Sequence, residues 1–143
     1  MLVQPYLHFD GRCEEALQFY CQALGASIEM LMRYKESPEP PPPGMVPPGM
    51  EEKVMHATLR IGDSTIMASD DCTRTHTLFQ GFQLSLSVAN PQEAERRFNA
   101  LAEGGQVKMP LSPTFFSPCF GMLVDRYGMA WMVIAPATLG GEG

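Results

Sequence analysis

The chain makes the same pass twice. Val3–Phe9 alternates, with Val3, Pro5, Leu7 and Phe9 on one side and Gln4, Tyr6 and His8 on the other. Period two with β-compatible residues reads as a strand. Ala16, Leu17, Tyr20 and Leu24 then recur at helical spacing, and Gly25 supplies a stop. Ser27–Glu36, Val54–Ile61 and Thr65–Ser69 read as three further strands, the last two a hairpin around Gly62-Asp63. The pattern restarts at Phe82, Leu84, Leu86 and Val88, alternating with Gln83, Ser85 and Ser87. Asn90-Pro91 opens a helix, with Asn as N-cap and Pro in the first turn. Ala94, Phe98, Leu101 and Ala102 share one of its faces, and Gly104-Gly105 ends it. Val107–Leu111, Phe120–Asp125 and Ala130–Ala135 complete the set, with a turn at Tyr127-Gly128.

The order is βαβββ, then βαβββ, which implies an internal duplication. Sliding the first strand by 79 positions lays Gln4 on Gln83 and Leu7 on Leu86. A one-residue slip would turn every side chain over, so the apolar faces fix this register. The fold class expected is α+β: two βαβββ modules forming a cupped mixed sheet. Module one covers 1–71, module two 80–137, and 138–143 is a short flexible tail, all in one domain. Leu7, Phe9, Leu59, Leu84 and Leu86 should pack under the helices. Gln4, Tyr6, His8, His56, Thr58, Arg60, Gln83, Ser85 and Ser87 should line the concave face.

One stretch breaks the pattern. Ser37–Met50 holds seven of the chain's 13 prolines. It lacks the backbone donors of a helix or inner strand, so an arm is expected. It is a floppy connector, a lid or an arm that embraces a second copy.

Composition narrows the function. The 143 residues are 45% hydrophobic and 18% charged, which suits one globular domain. A net charge of −6, with 10 Lys+Arg, argues against nucleic acid and against an anionic membrane surface. No apolar run approaches the roughly 20 residues that span a bilayer. The N-terminus has no basic region or cleavage site of a signal peptide. Cys13, Cys21, Cys72 and Cys119 form no CxxC pair. Reduced thiols in a cytoplasm are the simplest reading. Cys13 would sit at the start of the first helix, whose positive end would lower its pKa. An inert filler is the commoner role for any lone Cys. Eleven methionines make either a compliant core or an adaptable pocket.

Four stretches, PYLHFDGRCEEALQFYCQALGA, VMHATLRIGDSTIMASDD, GGQVKMPLSPTFF and FGMLVDRYGMAWMV, resemble the vicinal oxygen chelate superfamily. That group includes glyoxalase I, extradiol dioxygenases and bleomycin-resistance proteins; within it the likeness is to the PhnB-like proteins. Some of these carry the label demethylubiquinone methyltransferase. The chain has no glycine-rich loop between an early strand and a helix, and no doubly wound alternation, so no cradle for S-adenosylmethionine is expected.

The resemblance implies four metal ligands on the inward face, at columns that fall here on Gln4, Met67, Gln83 and Met132. The neighbours Ile66, Ala68, Trp131 and Val133 do not ligate either. Two amides and two thioethers suit zinc, nickel or iron poorly, so neither metal nor other cofactor is expected. A divalent metal at His8 and His56 is the alternative, and it lacks an adjacent carboxylate. His76 reads as a solvated surface residue.

The leading expectation is a homodimer that binds a small organic molecule. Gln4, Tyr6, His8, His56, Thr58, Gln83 and Ser85 would orient the ligand. Met67, Met132 and Trp131 would supply apolar contact, although Trp131 serves equally well as a core anchor. Arg60 would meet an anionic group, or else pair with Asp70, Asp71 or a partner chain. An enzyme of lyase, isomerase or dioxygenase type, using His8 or His56, is one rival. A ligand-free dimeric module is the other.

Overall fold

The computed structural model describes residues 1–38, 48–71 and 78–137. Most of the proline arm, His76, Cys72 and the tail 138–143 lie outside them. The chain divides into two compact units, Met1–Leu78 and Phe79–Gly143.

The first unit runs β1 (Tyr6–Phe9), α1 (Cys13–Leu24), β2 (Ser27–Arg33), β3 (Val54–Ile61) and β4 (Ser64–Asp70). Its sheet has the order β1-β4-β3-β2. β1 lies parallel to β4, and the other pairs are antiparallel. The second unit repeats this with β5 (Leu84–Ser87), α2 (Pro91–Ala102), β6 (Gln106–Ser112), β7 (Cys119–Val124) and β8 (Ala130–Ala135). Its order is β5-β8-β7-β6, again with the first strand parallel to the last. Two βαβββ modules are therefore present. The 79-position offset holds in the pairing: Tyr6 is the partner of Met67, and Ser85 of Met132.

Several expected bounds shift. β1 begins at Tyr6 rather than Val3, because Pro5 has no N–H to donate to a ladder. Its carbonyl still accepts from Met67 N at 3.0 Å. β2 stops at Arg33, and Tyr34–Glu36 turn into a short 3-10 helix. There the Glu36 carboxylate accepts from Arg33 N at 2.7 Å. At α2, Asn90 Oδ1 accepts from Glu93 N at 2.8 Å, so the N-cap read from sequence is realised. At the end of α1, Gly25 takes a left-handed φ of 68° while its N–H reaches Cys21 O.

Each unit has its own core. Leu7, Phe9, Ala57, Leu59, Ile66 and Ala68 from the first sheet are buried, as are Ala16, Leu17 and Tyr20 from α1. In the second unit Leu123, Trp131 and Val133 are buried, as are Ala94, Phe98 and Leu101 of α2. A Cβ on Gly121 would lie 2.8 Å from the Phe98 ring, which places Gly121 on the α2 side. Its partner Val133 shares that side, and by alternation so does Trp131.

Candidate functional site

The first sheet keeps its chemistry on the face opposite α1. One row crosses all four strands: Tyr6, Met67, Thr58 and Met30 are successive register partners. The next row pairs His8 with Ser69, and His56 with Met32. Alternation forces this grouping. Leu7, Ala57 and Ala68 fill the core, so residues one position away must point outward.

Three of these side chains interact. The Tyr6 hydroxyl and His56 Nδ1 are 3.0 Å apart. The Tyr6 ring centroid lies 4.9 Å from that of His8 and 5.6 Å from that of His56. Tyr6 and His8 are exposed, and His56 is half-buried. The hydrogen bond can run either way. If the phenol donates, His56 carries its proton on Nε2; if Nδ1–H donates, Nε2 is a bare acceptor. The trio thus presents an aromatic surface with a donor or acceptor chosen by the imidazole tautomer. Thr58 and Met67 beside it are half-buried, as is Gln4 before β1.

Arg60 stands apart. Its Nε donates to Glu29 Oε2 at 2.8 Å, and the ion pair holds the guanidinium pKa up. The partner is neither Asp70 nor Asp71. A register shift between Ile28 and Met30 inserts Glu29 as an extra residue in β2, and alternation does not foresee a bulge.

On the second sheet the corresponding row is Ser85, Met132, Met122 and Met109. Gln83 Nε2 donates to Met122 Sδ at 3.3 Å, so Gln83 shares this face. Trp131 does not. It is 2% exposed, and its indole N–H donates to Asp125 Oδ2 at 2.9 Å. Adjacent residues of a strand face opposite ways, so Trp131 and Met132 are not on one surface.

Two buried carboxylates hold roles that the sequence reading did not assign them. Asp70, 1% exposed, accepts from Gly11 N at 2.8 Å and Cys13 N at 2.9 Å through Oδ1. Its Oδ2 accepts from Val54 N at 3.0 Å. It therefore caps α1 from 57 residues away, a distance at which no local motif signals it. Asp125 accepts from Tyr127 N and Met129 N as well as from Trp131. Cys13 is corrected by the same geometry. Burial first, then the charges of Asp70 and Glu14, push its thiol pKa far up, where a lowering by the helix end was expected.

A hollow of about 310 Å³ also opens in the first unit, lined by Gly11, Glu14, Arg33, Glu52, Lys53, Val54 and Asp70. Its charged side chains already have partners. Arg33 grips Glu14 through two 2.9 Å contacts, and Lys53 Nζ donates to Gly11 O at 2.9 Å.

The metal columns implied by the superfamily do not fit a divalent ion. Gln4, Met67, Gln83 and Met132 offer amides and thioethers, and the Gln83 amide is already turned to Met122. Among the described residues, no three His, Cys, Asp or Glu side chains group as a metal site. No helix among them is long and apolar enough to cross a membrane.

Two βαβββ modules, each with a mixed four-stranded sheet, give the chain the glyoxalase/vicinal-oxygen-chelate fold, of the PhnB-like kind. A glyoxylase/bleomycin resistance protein/dioxygenase domain from Frankia shares the fold. It is 14% identical, with TM-score 0.66, covering 96% of this chain and 98% of that one. The chain belongs to the 3-demethylubiquinone-9 3-methyltransferase family, whose model matches residues 2–134. It is 44% identical to protein PA1353 from Pseudomonas aeruginosa, covering 95% of this chain and 98% of that one, with TM-score 0.83. The PhnB protein of Bacillus cereus is 29% identical, with 94% and 99% covered and TM-score 0.78. Protein YjdN of Escherichia coli K12 is 34% identical over 140 residues, 93% of this chain and 94% of its own.

Proposed function

We propose that the protein binds a small organic molecule on the sheet faces opposite its helices, without the divalent metal centre of its superfamily. The observation that carries this is the Tyr6–His56 hydrogen bond with His8 against the same ring. Exposed aromatic and imidazole groups beside thioethers add nothing to a core. They match the few polar groups on an apolar surface that typify small-molecule sites. Tyr6, His8, His56, Thr58, Gln4 and Met67 form the main patch in this reading. Gln83, Ser85 and Met132 form its counterpart on the second sheet. Arg60 is a poorer anchor for an anion than the sequence implied, because Glu29 already holds it.

Methyl transfer, which the family's name suggests, is less well supported. Neither unit has the doubly wound βα alternation that cradles S-adenosylmethionine, and the Gly11 and Cys13 amides of the first strand-to-helix turn already donate to Asp70. The two units act as one domain in this reading, and the protein works as a cytoplasmic homodimer. Light scattering at micromolar concentration tests the dimer, and a monomer there refutes it.

Ligand-observed NMR against a fragment library tests the binding. Aromatic fragments carrying a hydrogen-bonding group should bind the wild type and lose affinity in His56→Leu, with the fold intact by circular dichroism. Fragments that bind both proteins equally, or no fragment binding at all, would overturn the proposal.

A further inference from the structure

Three thioethers stand abreast on the second sheet. Met109 on β6 is the register partner of Met122 on β7, and Met122 that of Met132 on β8. Neighbouring strands are about 4.8 Å apart. Three unbranched, rotatable stems rooted at that spacing need only lean inward for their sulfurs to converge. Met109 is 39% exposed, and the other two are half-buried. The Met122 sulfur already uses one lone pair: it accepts a hydrogen bond from Gln83 Nε2 at 3.3 Å. That contact fixes the sulfur on this face and leaves it a second lone pair to offer.

The surroundings select the kind of ion. The flanking rows on the same face are Ala130, Val124 and Gln106 on one side, and Ser87, Ile134, Phe120 and Ser112 on the other. They contain no carboxylate and no imidazole. Hard and borderline divalent ions want oxygen and nitrogen donors; thioethers favour soft ions such as copper(I). Neutral donors also leave the ion's charge uncompensated, and one charge is cheaper to desolvate than two.

We propose that Met109, Met122 and Met132 form a binding site for a soft monovalent cation of the copper(I) or silver(I) type. The site lies on the sheet of the second unit; it shares Met132 with the ligand patch proposed there but does not depend on that reading.

The test uses the full chain with accessible thiols alkylated and methionine methyls labelled with carbon-13. Silver(I), which is redox-inert, is titrated and followed by NMR. One equivalent should shift the methyl signals of Met109, Met122 and Met132. Met122→Leu should weaken binding by about tenfold or more, and Met30→Leu on the first sheet should leave it unchanged. Met109→Leu, at an exposed position that does not threaten the fold, should weaken it as well. Shifts confined to other methionines, no shifts, or affinity unchanged in both Met122→Leu and Met109→Leu would overturn the site. Competition with a chromophoric copper(I) chelator extends the result to copper, and a chelator that strips the ion equally from wild type and Met122→Leu would refute it.

Discussion

The Tyr6 hydroxyl meets His56 Nδ1 at 3.0 Å across 50 residues of sequence, with β4 lying between their strands. An exposed hydrogen bond of this kind adds little to stability, less than about 1 kcal/mol. Tyr6→Phe should therefore keep the wild-type unfolding free energy, read by urea denaturation, within that margin. The His56 imidazole resonances should move in the same variant, because its Nδ1 loses a partner. An unchanged imidazole spectrum would show that the bond is not held in solution.

Asp70 is a different case. Both of its oxygens are buried against backbone N–H groups of Gly11, Cys13 and Val54. Asp70→Asn removes the charge and turns an NH₂ toward at least one of those donors. A loss of about 3 kcal/mol is expected from the broken charge-assisted network. Urea denaturation measures it; a loss below about 1 kcal/mol would mean that the cap is dispensable.

Cys13 should be inert. It is fully buried and its thiol pKa is raised, so thiolate is scarce at pH 8. Native protein treated with iodoacetamide should carry no label on Cys13, while the partly exposed Cys21 is modified. Peptide mass spectrometry reads both. Equal labelling would place Cys13 at the surface.

The Glu14–Arg33 pair gives a pH dependence with a definite sign. The hydrogen bond from Arg33 holds the Glu14 pKa below its ordinary value of 4.5. A carboxylate with a lowered folded pKa stabilises the fold above 4.5, and that contribution fades as pH falls through the lowered value. Both partners are partly exposed, so the effect is small. Glu14→Gln should be slightly less stable than wild type at neutral pH, with the gap closing at acid pH. A gap that widens on acidification would reverse the assignment.

Gly105 is pinned by its neighbours. A Cβ there would press onto the carbonyl oxygen of Val124 and come within 2.9 Å of Asp125 Cα. Both contacts are backbone, which does not step aside as a side chain can. Gly105→Ala should cost about 1–3 kcal/mol by overpacking, read as a fall in melting temperature.

The residues of the Tyr6 trio were legible because alternation is local. Once Leu7 and Ala57 go to the core, Tyr6, His8 and His56 must take the other face. The same rule places Ser85 with Met132 and separates both from Trp131, and it told against grouping Trp131 with the ligand contacts. Glu29 was not legible as the partner of Arg60, because a bulge breaks the period on which the reading depends.

The sequence by itself determined the two βαβββ modules, their 79-position offset and the outward side of each strand. These follow from hydrophobic period and turn chemistry, which act over a few residues. Tertiary structure decided which strands lie side by side, and therefore which outward residues meet. It set Tyr6 against His56, aligned Met109 with Met122 and Met132, and carried Asp70 to the start of α1. Those contacts join residues far apart in the chain, and only the closing of the sheets brings them within reach.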